Sequence, residues 1–485
     1  MSVLPSVYNE DHPYNAWMRR VAPIGVVVLV GLVVFGQQFI SGFFSQTLET
    51  PPEEMRASEA LSDSDLDGFT VECKAMVKFT AIERKLAASG AYDEDPQATT
   101  DASTELADAV SLLEEAAISR TQRLRFGIVV AELLGPGAAL EALEPLANEV
   151  GPASVLSPDI AALRKLYAET STPLDPAARQ ALIDRHGWFG WLAAGFGQND
   201  SNSDRRWALS GGRALVAIGM LSTAMMLVGL LLGAVLIVVV LRKAHAGEFD
   251  SQVARTDVPR FLYAETFLVA QLVFLVYLFA NVLLHDADPV ATSTVTEVLL
   301  WGEGLLLAWP LLRGVTFATM RTDLGLHSGE SLIHELVFGV GGWLISVPVT
   351  FMIGWVLTVV MPDSETPSGI PMFERPGPGG WTAVVLGAIS AVVWAPLLEE
   401  TLFRGALHRW LPNGLGVWGR VLMTSVIFGI VHPYSPQGLI QVGAAGVVFG
   451  LLREWRGSLI AGMVCHFLHN ATIEGINIGT LLALN

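Results

Sequence analysis

The sequence predicts an all-α, polytopic membrane protein of about nine spans, with a helical domain inserted after the first. Three observations carry this expectation. Hydrophobic residues make up 52% of the 485 and charged residues only 16%, a balance too apolar for a water-soluble globule. The apolar residues come in blocks long enough to cross a bilayer, for which about 20 helical residues suffice. The charge is segregated: of a net −18, −13 falls between Ser45 and Arg206, where 27 Asp and Glu stand against 14 Lys and Arg.

The first block, Val21–Phe44, follows Arg19 and Arg20. It has the length of a full span and no clean small-x-small cleavage site, so it reads as an uncleaved anchor rather than a signal peptide. Residues 45–207 read as an acidic extracytoplasmic helical domain. Ala107–Ala117 and Ile160–Ala168 place apolar residues at helical spacing, while Gly135-Pro136, Pro173 and Pro176 cut the segment into short helices. Within it, residues 49–67 read as an acidic linker, and Trp188, Phe189 and Trp191 as an interfacial anchor. Residues 208–380 hold four blocks, Leu215–Leu241, Phe261–Leu284, Val295–Val315 and Leu336–Met361. The third is the weakest, because Glu297, Glu303 and Pro310 interrupt it. Residues 381–485 hold the last four: Trp381–Phe403, Val417–Val431, Leu439–Leu452 and Ser458–Leu484. The loop His432–Gly438 between two short blocks is expected to dip into the bilayer. In the eighth block Gly446 and Gly450 form a small-xxx-small pair suited to close helix packing.

Basic residues gather in alternate short loops. Arg19, Arg20, Arg242, Lys243, Arg255, Arg260, Arg313, Arg321, Arg409, Arg420, Arg453 and Arg456 fall on one side, and Arg375 is the exception on the other. Positive-inside bias then puts the N-terminus in the cytoplasm and the acidic domain outside, in the cell membrane. With no basic surface there is no nucleic-acid partner to expect, and two cysteines, Cys73 and Cys465, cannot build a disulfide framework.

Ionisable residues within membrane helices are costly, so each marks a candidate function. Glu399, Glu400 and Arg404 close the sixth block, His432 the seventh, and His466 and Asn470 lie in the ninth. Glu400 and Arg404 stand four apart and can pair, while Glu399, about 100° around the helix, faces elsewhere. His466 and Asn470 share a face and His469 does not. Glu399 lies ten residues from Arg409, His432 twelve from Arg420 and His466 ten from Arg456. At about 1.5 Å per residue all three sit roughly 15–18 Å deep, near the middle of the bilayer. A helix-end ion-pair cluster would account for the first motif and leave the others unexplained. His334-Glu335-Leu-Val-Phe338 is not a zincin site, because the second histidine is replaced by Phe338.

The ordered set Glu-Glu-x-x-x-Arg, Phe428-x-x-x-His432 and His466-x-x-x-Asn470 resembles the CAAX-protease and bacteriocin-processing (CPBP) family of intramembrane proteases, to which the prenyl-protein endoproteases belong. The likeness spans Glu399 to Asn470. It implies an endopeptidase in which Glu399 and His432 activate water, His466 and Asn470 stabilise the oxyanion, Glu400 pairs with Arg404 and Phe428 packs beside the site. It also leaves a second mechanism open, since the family has been described as metalloproteases: Glu399, His432 and His466 would then be zinc ligands. The expected partners are the lipid bilayer and a protein or peptide substrate, with the outer domain as a candidate binding element for a protein partner. The rival readings are a non-proteolytic scaffold or immunity-type protein and a proton-relaying transporter; the latter lacks visible inverted repeats.

Overall fold

The chain begins with a long apolar helix, α1 (Pro13–Glu49), and every element that follows among the described residues is also helical. The structure is a computed structural model that describes residues 12–49, 57–59, 68–89, 96–168, 173–247, 250–284, 295, 298–361, 380–432 and 434–485. Most of the expected linker, Glu297 and Arg375 lie outside the described residues. Two compact units divide the chain. One comprises Met1–Gln46, Thr223–Met372 and Thr382–Gly475; the other comprises Thr47–Ser222, Phe373–Trp381 and Ile476–Asn485.

The second unit is built mainly from α2 (Gly68–Ala88), α3 (Pro96–Ala116), α4 (Arg120–Leu133), α5 (Pro136–Glu149), α6 (Ser157–Ala168), α7 (Pro176–His186), α8 (Trp188–Ala194) and α9 (Ser203–Ala208). Local chemistry sets these boundaries. Ser119 and Gln122 form a reciprocal capping box at the start of α4. Gly135, at φ +100°, turns the chain into Pro136, whose missing N–H costs nothing at a helix start. The Trp188–Trp191 aromatics, expected as an interfacial anchor, partly turn inward: Trp188 and Phe189 are buried in the core with Leu124, Leu143 and Leu163. The Trp188 indole N–H donates to the Ala208 carbonyl at 2.8 Å. Bidentate pairs surround this core, Arg205 with Glu132 and Arg179 with Asp204.

The remaining helices are α10 (Gly212–His245), α11 (Phe261–Leu283), α12 (Val298–Leu312), α13 (Phe317–Leu324), α14 (Leu332–Val360), α15 (residues 380–410), α16 (Gly416–Ile430), α17 (Pro436–Arg456) and α18 (Ile460–Leu484). Six helices are long and apolar enough to cross a membrane, or seven if α12 and α13, bent by 117°, count as one span. The nine blocks read from the sequence therefore reduce to six or seven on this criterion. α17 and α18 are not among them. The physical reason is their polar content, including Gln437, Gln441, Arg453, Glu454 and Arg456 in α17, and His466, His469 and Asn470 in α18. The expected dipping loop is also shorter, because Ser435 caps α17 and Pro436 starts it.

α16 and α17 form a close hairpin. A Cβ on Gly429 would come within 2.5 Å of the Leu439 carbonyl oxygen, and one on Gly450 within 3.0 Å of Val421. Gly446 serves a different end: a Cβ there would strike the Arg404 guanidinium at 2.7 Å.

Several arginines read as loop charges are instead buried at the helix ends of the first unit. Glu454 accepts from Arg420 at 2.6 Å and from His408 at 2.9 Å, and Ser251 donates to its other oxygen. Asp323 accepts from Arg409 at 3.0 Å, from the Thr256 backbone at 2.9 Å, and from the Thr256 and Tyr263 hydroxyls. Arg313 pairs with Glu265 at 2.9 Å and Arg456 with Glu335 at 2.9 Å. Arg453 donates to the carbonyls of Arg404, Asp323 and Gly457. His408 is fully buried in this network.

Candidate active site

α15 is not a regular α-helix. It widens into π geometry over Ser390–Trp394 and again over Glu400–Leu407, with five α-helical residues, Ala395–Glu399, between. Pro396 explains the first widening. Its ring would clash with the carbonyl four residues back, and it has no N–H to give. The Ala395 N–H reaches back five residues to Ser390. The next carbonyl, Ala391, would need the N–H that Pro396 lacks. Asn470 of α18 supplies the donor, its side-chain amide lying 2.7 Å from the Ala391 oxygen. The asparagine singled out in the sequence thus ties α18 to the one carbonyl that Pro396 strands. One N–H of the amide is used in this way, leaving the second for another acceptor.

The paired glutamates divide as their angular offset requires. The Glu400 side chain is fully buried, and its Oε1 takes Arg404 at 3.0 Å and His466 Nδ1 at 3.1 Å. Gly462 makes the room, since a Cβ there would stand 3.2 Å from the other Glu400 oxygen. Arg404 also donates to the Gly446 carbonyl at 3.0 Å and lies between two rings, 4.2 Å from Phe428 and 5.2 Å from Phe449. Such stacking suits a buried guanidinium.

Glu399 has no such clasp. Its side chain is 24% exposed, and its Oε2 stands 3.9 Å from His432 Nε2 and 3.8 Å from His466 Nε2. These distances exceed direct hydrogen bonds. The partners of the histidines fix their protons. His432 Nδ1 lies 2.6 Å from the Phe428 carbonyl, which only accepts, so Nδ1 carries the hydrogen and Nε2 presents a lone pair. His466 Nδ1 faces the Glu400 carboxylate in the same way. Phe428 packs edge-on to both rings, and Phe449 stacks on His466 at 4.7 Å.

The structure therefore brings Glu399, Glu400, Arg404, His432 and His466 together and places Asn470 on the same helix, bonded to α15. His469 stands apart from these bonds. Among the described residues no group of three His, Cys, Asp or Glu side chains has the geometry of a metal site. Two participants were not legible from the motifs. Gln37 of α1 donates its side-chain amide to the Val431 carbonyl, beside His432. Trp394 anchors α12 to α15, stacking on Trp301 at 4.6 Å and donating to the Leu300 carbonyl at 3.2 Å.

Carboxylates and imidazoles converge here among apolar helices, an arrangement capable of acid–base chemistry. The model of the family described as type II CAAX prenyl endopeptidase Rce1-like matches residues 381–472, the stretch that carries all six residues. This stretch belongs to that family of proteases, as the motifs suggested, in a chain that crosses the membrane several times. No curated protein and no solved structure matches the chain.

Proposed function

We propose that the chain is an intramembrane endopeptidase in which Glu399 is the general base. The observation that carries this is the pair of gaps of 3.8 and 3.9 Å between one Glu399 oxygen and two imidazole lone pairs. Gaps of this size suit a water held between acceptors rather than a direct contact. Glu399 takes a proton from that water as it attacks the peptide carbonyl, with His432 Nε2 accepting its other hydrogen. The second N–H of Asn470 is the donor for the oxyanion. His466 joins it as a donor only when its ring is protonated, because Glu400 holds its Nδ1 hydrogen in the neutral ring. Glu400 and Arg404 position His466 and α15 rather than react. The reading is metal-free, so activity survives removal of divalent ions by a chelator.

In the same reading α17 and α18 complete nine spans, the protein resides in the cell membrane with its N-terminus in the cytoplasm, and the acidic helical unit lies outside as the element that engages a protein partner. The substrate is a membrane-associated protein or peptide.

The test compares membrane proteomes of cells carrying the native chain and Glu399→Gln. The substrate accumulates uncut in the variant, and the purified native chain in vesicles cleaves it. Equal cleavage by Glu399→Gln would end the assignment. Full complementation of the cellular phenotype by that variant would favour the scaffold instead.

A further inference from the structure

Glu303 is a buried carboxyl with no assigned task. It was read in the sequence only as an interruption of a weak span. In the structure it is 3% exposed and lies on α12, with neighbours pressed against α15. Leu300 receives the Trp394 indole N–H, Trp301 stacks on Trp394, and a Cβ on Gly304 would come within 2.4 Å of the Trp394 ring. Glycine at 304 is what permits that approach. Glu303 lies between Trp301 and Gly304 in the same helix, and Trp394 precedes Glu399 by five residues on another. The Glu303 carboxyl lies within electrostatic reach of Glu399.

The other buried carboxylates of this unit have cationic partners: Glu265 has Arg313, Asp323 has Arg409, Glu335 has Arg456, Glu400 has Arg404 and Glu454 has Arg420. Among the described residues Glu303 makes no hydrogen bond or ion pair. A carboxylate buried without a partner is a large cost. Two carboxyl groups that share an apolar site hold a proton between them rather than two charges. Of the titratable groups on the elements packed here, Glu265 of α11 is bound to Arg313 and Trp309, and His432 of α16 and His466 of α18 face Glu399.

We infer that Glu303 is a second catalytic carboxyl of the site, the acid that protonates the leaving amine. This rests on the protease reading above. As the water oxygen bonds to the peptide carbon, Glu399 takes one of the water protons. As the carbon–nitrogen bond breaks, protonated Glu303 gives its proton to the nitrogen, which leaves as an amine. The proton on Glu399 then passes to Glu303, restoring both. Water and the peptide bond are the only reagents consumed.

The test uses the full chain in vesicles and the membrane protein that accumulates in Glu399→Gln cells. Glu303→Gln is expected to lower kcat by about 10²-fold or more, as loss of a general acid does, with KM unchanged. The fall in kcat at alkaline pH disappears, because glutamine has no proton to lose. Glu303→Asp keeps that alkaline fall and part of the rate. Wild-type kcat in Glu303→Gln, or a lowered kcat with the alkaline fall intact, overturns the inference. If Glu303→Gln does not fold, Glu303→Asp decides: an alkaline fall retained supports the inference and its loss overturns it. Glu399→Gln, run alongside, separates the two readings. If it cleaves normally the assignment of Glu399 as base fails, and the role of Glu303 with it; if it is inert while Glu303→Gln matches the native chain, only the role of Glu303 fails.

Discussion

Two sets of buried polar groups in the first unit follow opposite rules. At the helix ends, Asp323 and Glu454 are saturated, each oxygen taking a short bond from an arginine, hydroxyl, histidine or backbone N–H. Deeper in the helices, Glu399 stands 3.8–3.9 Å from two imidazoles that offer it lone pairs rather than protons. Saturation fixes a structure, because every group is worth more in place than out of it. A gap between acceptors leaves room for a reactant. Glu400 lies between the two regimes, one oxygen clasped by Arg404 and His466 and the other without a hydrogen-bond partner among the described residues.

The sharpest way to break this contrast is to remove the slack groups. Glu399→Gln and His432→Ala are each expected to lower the cleavage rate by about 10³-fold, with melting of the detergent-solubilised protein unchanged. A large drop in melting temperature would mean that the site is structural after all. The reverse experiment is Glu454→Gln. It leaves Arg420 with a weaker partner, and breaking such a pair costs about 3–5 kcal/mol, so thermal unfolding should come markedly earlier. Glu400→Gln tests the intermediate case. It should cost about 1–3 kcal/mol, the range for a buried group left without its partner, and also slow turnover by freeing the His466 ring. A purely catalytic or purely structural defect would remove the distinction drawn for Glu400.

The smallest effect sharpens the rule outside the spans. In the second unit Asp159 accepts from Arg185 and from His186, whose Nε2 lies 3.1 Å away. Burial pushes the Asp159 carboxyl up, but the hydrogen bonds from His186 and Arg185 outweigh it and hold it below 3.8. Burial pushes the His186 imidazole below 6.5 against the pull of Asp159. Both groups therefore bind protons less readily in the folded chain than in the unfolded one. Their contribution to stability is complete above about pH 6.5 and is lost as the pH falls through the His186 and then the Asp159 range. Melting followed by tryptophan fluorescence should show this decline on acidification, and His186→Gln should flatten it between about pH 7 and about pH 5.

Much of this was legible in the residues. The i,i+4 spacing of Glu400 and Arg404 gave their pairing, and the offset of Glu399 gave its separate environment. Equal depths pointed to one meeting place for Glu399, His432 and His466. What escaped were features that depend on partners distant in sequence. Arg409, Arg420, Arg453 and Arg456 look like loop charges until Asp323, Glu454 and Glu335 arrive beside them. The widened turn at Ser390–Trp394 has a local cause in Pro396, yet its repair lies at Asn470. α17 and α18 read as ordinary spans because their apolar residues dominate the pattern, and the polar residues that lower their hydropathy are the ones that build the site and the helix-end network. Glu303 looked like a flaw in a helix because its neighbour Glu399 is almost a hundred residues away.

The bond from Gln37 to the Val431 carbonyl joins residues 394 positions apart. The family match begins at residue 381, so the clamp on the His432 turn comes from a helix made long before any matched residue. During synthesis Gln37 is made 394 residues before its partner exists. Contacts of such separation form late. The turn that carries His432 therefore has no clamp until the chain has grown past Val431, and a shorter nascent protein cannot present the finished site to its neighbours in the membrane.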